Sequence, residues 1–466
     1  MAAVRKSITV LETCLVSPPA HGPTAAEQIL HLTYLDLPWL HFHPTQRLLF
    51  YQFPSSTAHF QENIVPGFTK SLALALKHFY PLAGNLIYPE NSDRIPYIRY
   101  APGDSVPVTV AEYNGQSSDF DYLTENYPRD ADEFHAFFTD LSPPRTEPES
   151  GFLACPLFTA QITLFRDAGI CLGFNNSHTA GDASSIVGFL KAWSLIARVG
   201  NDGVFFSEDR HPLLPVYDRS LVSDPSGRLL NILWNQMKDF RIEVLPENFP
   251  TNRVRATFIL RREDIQKLRS MVQSNKPNLI HLSSFTITTA YVWSCFAKSA
   301  AEAGEAVGDD EVEYFGFAVD ARLRTKPPIP AAYFGNCVGL VVTESTHSEL
   351  KGEQGFLIAV ELIGELIQKK VNKEDELLKD AEEWLARFGG IIGKRALGVA
   401  GSPRFDLYDA DFGWGKPKKY EAVAIDGERS MSLCKSREFD GGLEIGLSMS
   451  KTNMEAFAAV FPSLLN

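Results

Sequence analysis

Along the chain the apolar positions change period, and each change predicts an element. Ile170, Leu172 and Phe174 alternate, which predicts a strand. From Ile186 the spacing becomes helical, through Phe189, Leu190, Trp193 and Ala197. A helix is therefore predicted to start near Ala183, after a short turn that contains glycine. Within 64–78, Phe68, Leu72, Leu74, Ala75 and Leu76 recur at roughly helical spacing, and the pattern breaks at Pro81 and Gly84. In the second half, 253–260 reads as a strand. Residues 263–273 read as a helix with Ile265, Leu268 and Val272 on one face, and the apolar run 285–298 as a buried helix. Residues 312–322 predict a strand with a charged end, and 443–450 alternate like another strand. Loops are predicted at the Pro-rich 141–151 and the small, acidic 299–311.

Periodicity lapses from about 200 to 224, which divides the chain into halves the size of one large domain each. The expected organisation is a domain over 1–200, a crossover at 201–224 and a second domain over 225–466. Helical and strand patterns mix throughout, so the class is α/β or α+β, and no fixed-period repeat points to a solenoid or propeller.

Composition narrows the function. A chain of 466 residues with 44% hydrophobic and 22% charged residues is ordinary globular material. A net charge of −13 opposes nonspecific nucleic-acid binding, which needs a basic footprint. The six cysteines form no CxxC pair and are too sparse for a disulfide scaffold. No zinc-binding HExxH occurs, so no metal is expected. No apolar stretch is long enough to span a membrane. Arg5 and Lys6 are not followed by the long apolar run of a signal peptide, so the amino end reads as an extended segment. The Asn175-Asn176-Ser177 sequon falls in a predicted buried strand and is discounted. These features predict a soluble cytoplasmic enzyme.

The densest chemistry lies at 178–182, His-Thr-Ala-Gly-Asp, on the predicted strand-to-helix turn. Such a turn exposes a side chain between two rigid flanks. A neutral histidine there is a competent general base. Asp182 has two readings: it orients the imidazole, or it caps the helix by accepting backbone N–H bonds. No GxSxG nucleophile elbow occurs, which removes the main support for an α/β-hydrolase.

Three separated motifs then carry a resemblance. HTAGD at 178–182 resembles the HxxxD motif of the plant BAHD acyltransferases, and DFGWG at 411–415 resembles their second signature. YFGNC at 333–337 resembles a motif of the branch that acylates anthocyanins and other flavonoid glucosides. VDAR at 319–322, VRATF at 254–258, the run 401–421 and LPWLHFHPTQRLLFY at 37–51 agree with it over essentially the whole chain. The resemblance implies two chloramphenicol-acetyltransferase-like domains, each a mixed sheet flanked by helices, with a channel between them. Segments exchanged between the sheets would make the linear boundary approximate. It implies His178 as general base, and Asp182 paired with Arg322 to fix the loop that carries it. Asp411, Phe412, Gly413, Trp414 and Gly415 would form a structural loop that shapes the CoA channel. Asn336 is a candidate channel or oxyanion contact, with an aromatic-plugged turn as the alternative for 333–337. Candidates for CoA contact are Arg253, Arg255, Arg261 and Arg262, the lysines Lys416, Lys418 and Lys419, and the hydroxyls of Ser284, Thr286 and Thr288.

The implied reaction moves an acyl group from acyl-CoA, a cosubstrate rather than a cofactor, to a sugar hydroxyl of a phenolic glycoside, within a monomer. A malonyl donor would need a cation in the acyl pocket, and a hydroxycinnamoyl donor a longer apolar slot. Malonyl is the preferred expectation. The alternatives are a hydroxycinnamoyl-specific transferase, a thioester hydrolase, and a noncatalytic relative that binds a CoA ester or flavonoid.

Overall fold

The computed structural model of the chain describes residues 8–89, 93–147, 150–206, 213–239, 251–279, 281–427 and 429–465. Arg5 and Lys6, residues 148–149 of the Pro-rich loop and residues 207–212 of the crossover lie outside them.

Two large mixed sheets carry the fold. The first has six strands, in the order Ile8–Val16, Val106–Tyr113, Phe158–Phe165, Gly169–Asn176, Thr45–Tyr51 and Lys419–Ala422. Val106–Tyr113 and Phe158–Phe165 run parallel and the other neighbours antiparallel. The second has seven strands, in the order Val338–Thr346, Val312–Asp320, Arg395–Ala400, Ser430–Lys435, Leu443–Ser450, Arg253–Leu260 and Arg129–Asp130. Its parallel part is Val312–Asp320, Arg395–Ala400 and Ser430–Lys435.

Helices cover these sheets with the faces their periodicity predicts. Val65–His78 and Ala183–Val199 pack together through Phe68 and Trp193, whose rings lie 4.9 Å apart. Both side chains are buried, and the Trp193 indole N–H reaches Ser71 Oγ at 3.1 Å, so its polar atom is satisfied. In the second half, Ser284–Glu302 packs Tyr291 on Phe356 of Gly355–Leu366 and Phe296 on Phe457 of Lys451–Val460.

The structure departs from the pattern reading in three places. The Ser284 helix runs on to Glu302 instead of yielding to a loop at 299. Ser299 and Ala300 are buried, and the chain turns only at Gly304, where φ is +74°. A third, five-stranded antiparallel sheet is built from Gln28–His31, Tyr97–Tyr100, Asn85–Tyr88, Leu153–Pro156 and Arg145–Thr146. Strands of four residues or fewer carry too little alternation to be read locally, and one of them lies in the predicted 141–151 loop. Finally, two segments cross the linear division at 201–224. Lys419–Ala422 completes the first sheet beside Thr45–Tyr51, and Arg129–Asp130 edges the second beside Arg253–Leu260. Among the described residues no helix is long and apolar enough to cross a membrane.

Candidate active site

His178 sits in the turn between the strand Gly169–Asn176 and the helix Ala183–Val199. The strand is buried on both faces, and Ser177 starts the turn by accepting a bond from Thr179 N–H. The imidazole is half-buried between aromatic rings. Trp39 stacks on it with centroids 3.8 Å apart and planes 12° from parallel, and Phe42 meets it edge-on at 5.3 Å. Thr179 Oγ1 donates to Trp39 O at 3.1 Å, which ties the two loops together.

Asp182 caps the helix, accepting from Ser185 N–H at 3.0 Å. It also takes a two-pronged bond from Arg322, at 2.8 and 3.1 Å, and a third donor, Cys337 N–H, at 2.9 Å. Both carboxylate oxygens are thereby engaged, and the imidazole's bond goes to another residue. Arg322 Nη1 also reaches Asp320 Oδ1 at 3.1 Å, and its Nη2 reaches Tyr333 O and Gly335 O at 3.0 and 3.3 Å. This fastens the 333–337 loop against the 178–182 turn. Gly335 has φ of +143°, a conformation that favours glycine in this loop.

Asn336 is the residue that meets His178. Its Oδ1 lies 3.1 Å from His178 Nδ1. Its Nδ2 lies 3.1 Å from both Asp36 Oδ1 and His178 O, and its backbone N–H donates to Asp36 Oδ1 at 2.9 Å. Two acceptors around Nδ2 identify that atom as the amide nitrogen, so Oδ1 accepts and Nδ1 of the imidazole carries the proton. The lone pair is then on Nε2. Burial pushes the His178 pKa down to about 4; the charge of Asp182 opposes this and that of Arg47 adds to it. The imidazole is neutral at pH 7, with a single basic nitrogen, and can take a proton from a hydroxyl placed at Nε2.

A family model described as the Transferase family matches residues 6–463. The chain belongs to that family, the BAHD acyltransferases. It is similar to a malonyl-coenzyme:anthocyanin 5-O-glucoside-6'''-O-malonyltransferase of Salvia splendens, with 46% identity over 97% of this chain and 94% of the relative. Phenolic glucoside malonyltransferase 1 of Nicotiana tabacum is 43% identical over 97% and 98%. A coumaroyl-CoA:anthocyanidin 3-O-glucoside-6''-O-coumaroyltransferase of Arabidopsis thaliana is 35% identical over 98% and 97%. The crystal structure of vinorine synthase shares the fold, with a TM-score of 0.70 at 20% identity over 98% of each chain.

The other BAHD motif residues lie elsewhere. Asp411 folds its own loop, accepting from Gly413 N–H at 2.8 Å and Gly415 N–H at 3.0 Å, with both glycines at positive φ. Phe412 and Trp414 plug that loop into the first-half core, against Trp193 and Tyr51. The candidate CoA contacts divide. Arg255 is a correction: it is fully buried and paired with Asp426 at 2.6 Å and Glu421 at 3.1 Å, out of reach of a ligand. Lys419 is likewise buried, on Asn126 and Thr257. Arg253 bonds Ser448, Lys416 pairs with Asp409, and Lys418 with Asp121. Thr286 and Thr288 are buried inside their helix, Thr286 against the capping Ser283. Asn336 is corrected as an oxyanion donor, because both its N–H groups point at protein acceptors.

Ser284 and Arg262 do share an open site. They line a cleft of about 310 Å³ with Gln266, Arg269 and Gly441. Arg269 reaches Ser284 Oγ at 3.4 Å. Sequence reasoning missed Arg269, although it lies seven residues after Arg262 and so on the same helical face. Trp39, Phe42 and Asp36 were not named as site residues either, although Trp39 and Phe42 lie in the 37–51 segment that carries the resemblance. Among the described residues no group of three or more His, Cys, Asp or Glu is arranged to hold a metal.

Proposed function

We propose that this acyltransferase moves a malonyl group from malonyl-CoA to a sugar hydroxyl of an anthocyanin or other phenolic glucoside, with His178 as general base. The observation that carries the base is the imidazole itself: neutral, with Nδ1–H held by Asn336 and Nε2 left to accept. The acceptor hydroxyl loses its proton to Nε2 as its oxygen attacks the thioester carbonyl. The tetrahedral intermediate collapses and expels CoA thiolate, which takes the proton back. A thiol with pKa near ~8.5 leaves readily, so no strong acid is needed. Asp182 and Arg322 hold the loop rather than the proton. Malonyl is favoured over a hydroxycinnamoyl group because the relatives named as malonyltransferases, at 46% and 43% identity, are more similar than the coumaroyltransferase at 35%.

The cleft with Arg262, Arg269 and Ser284 offers two guanidinium groups to the phosphates of CoA. Every group in this scheme comes from one chain, which supports a monomer. The six cysteines are free thiols, which supports a reducing cytoplasm.

The test is a mass-spectrometric screen of the purified protein with malonyl-CoA or coumaroyl-CoA and a panel of anthocyanin, flavonol, isoflavone and simple phenolic glucosides, run beside His178→Ala. A glucoside gaining one malonyl mass with wild type, and a loss of on the order of 10²–10⁴-fold in His178→Ala, is expected. Transfer of coumaroyl alone would overturn the donor. CoA release without acylated glucoside would indicate a hydrolase, and no turnover at all a binding protein.

A further inference from the structure

Arg47 is a cation beside the base without an anion of its own. It lies on the strand Thr45–Tyr51, opposite Phe174 of the strand that leads into the His178 turn and opposite Ala422 on the other side. It is half-buried. Its Nη1 donates to Thr45 Oγ1 at 3.0 Å and Asn176 Oδ1 at 3.2 Å, and its charge faces the Tyr420 hydroxyl. All three partners are neutral. Among the described residues no carboxylate lies within the 4.0 Å of an ion pair. The buried arginines Arg129, Arg255 and Arg322 each have one.

Asn176 stands two residues before His178, so the guanidinium is anchored on the base's own loop. Its field reaches the imidazole and disfavours the protonated ring. Asp182 acts on the ring in the opposite sense and more strongly, so Arg47 takes back part of the help a general base needs as its transition state builds imidazolium. None of Thr45, Asn176 and Tyr420 is an anion that the charge would neutralise. An anion delivered by the substrate would do so.

We propose that Arg47 is the specificity residue for the donor: it binds the terminal carboxylate of a dicarboxylic acyl-CoA such as malonyl-CoA. The fork of a guanidinium matches a carboxylate. The inference rests on the malonyl reading above.

The experiment measures kcat and KM for malonyl-CoA and acetyl-CoA, at saturating glucoside, in wild type, Arg47→Met and Arg47→Lys. The malonyl-to-acetyl ratio of kcat/KM is expected to fall at least 50-fold in Arg47→Met. Arg47→Lys, which keeps charge but loses the fork, is expected to lie between. Equal losses for both donors would overturn the proposal and make Arg47 a structural residue. Should either variant turn over too slowly, calorimetric Kd values for malonyl-CoA and acetyl-CoA give the same ratio, and an unchanged ratio overturns it equally. A wild type that transfers coumaroyl but not malonyl would sink the donor reading itself, which is a separate result.

Discussion

Two assemblies of buried arginines and carboxylates can be set side by side. One joins Arg322 to Asp182 beside His178. The other joins Arg129 and Arg255 to Glu421, and Arg255 to Asp426, which also meets His135 at 3.1 Å. All six arginine and acidic side chains are at most 4% exposed. In the second assembly burial pushes the Glu421 carboxyl up, but Arg129 and Arg255 more than offset it and hold it below its usual range. The chemistry is the same and the use differs. Arg322 Nη2 also donates to the backbone of the 333–337 loop, so the pair fastens that loop to the His178 turn. Arg129 and Arg255 lie on the second sheet and Glu421 on the first, so that cluster ties two sheets together. Charge and burial alone do not identify a functional ion pair. What its spare hydrogen bonds hold does.

Breaking the two assemblies separates them. Arg255→Met is expected to lower stability by about 3–5 kcal/mol, because it strands buried carboxylate, while the folded enzyme keeps kcat within about threefold. Asp182→Asn is expected to cost a similar amount and also lower kcat by about 10–100-fold, since the His178 turn loses its alignment. Urea unfolding paired with single-donor kinetics checks both. Comparable kcat losses in the two variants would erase the distinction.

A smaller effect sharpens the first region. Asn336→Ala removes the acceptor that holds Nδ1–H and the donors that serve Asp36. Stability is expected to fall by about 1–3 kcal/mol. The kcat value is expected to fall more than KM rises, because the basic nitrogen is no longer fixed at Nε2. Asn336→Asp keeps an acceptor for Nδ1–H but sets a carboxylate against Asp36 Oδ1 and His178 O, so it is expected to be less stable than Asn336→Ala. If KM alone changes in Asn336→Ala, the residue contacts substrate rather than the base.

The smallest concerns pH. His178 titrates near 4 when folded and near ~6.5 when unfolded. The unfolded chain therefore binds more protons between those values, and this group's contribution to stability is lost as pH falls from about 6.5 to about 4. With His178 as the proposed base, turnover needs the neutral ring, so the acid limb of kcat/KM is expected near pH 4. Trp39→Ala hydrates the ring face and should move that limb upward by about one unit, whereas Arg255→Met should leave it in place. An acid limb unmoved by Trp39→Ala would show that the stacking does not desolvate the base.

The strand–turn–helix carrying His178 was legible because the apolar period switches from 2 to 3.6 within a dozen residues, a local property of the chain. The cap on Asp182 was legible for the same reason. The Asn336–Asp36 link was not, since its members lie 158 and 300 residues from what they touch. Arg255 was misjudged because the RVRATFIL pattern shows alternation but not what covers each face.

By itself the sequence determined the longer periodic elements, the strand–turn–helix around His178 and, through three motifs in order, membership of the BAHD acyltransferases. These depend on neighbours within a few residues or on likeness along the whole chain. Only the tertiary structure decided which arginines are paired and buried, which nitrogen of His178 is basic, and that the 333–337 loop rather than Asp182 holds the imidazole. Those properties arise from desolvation and hydrogen-bond geometry between distant segments, and both exist only once the segments have met.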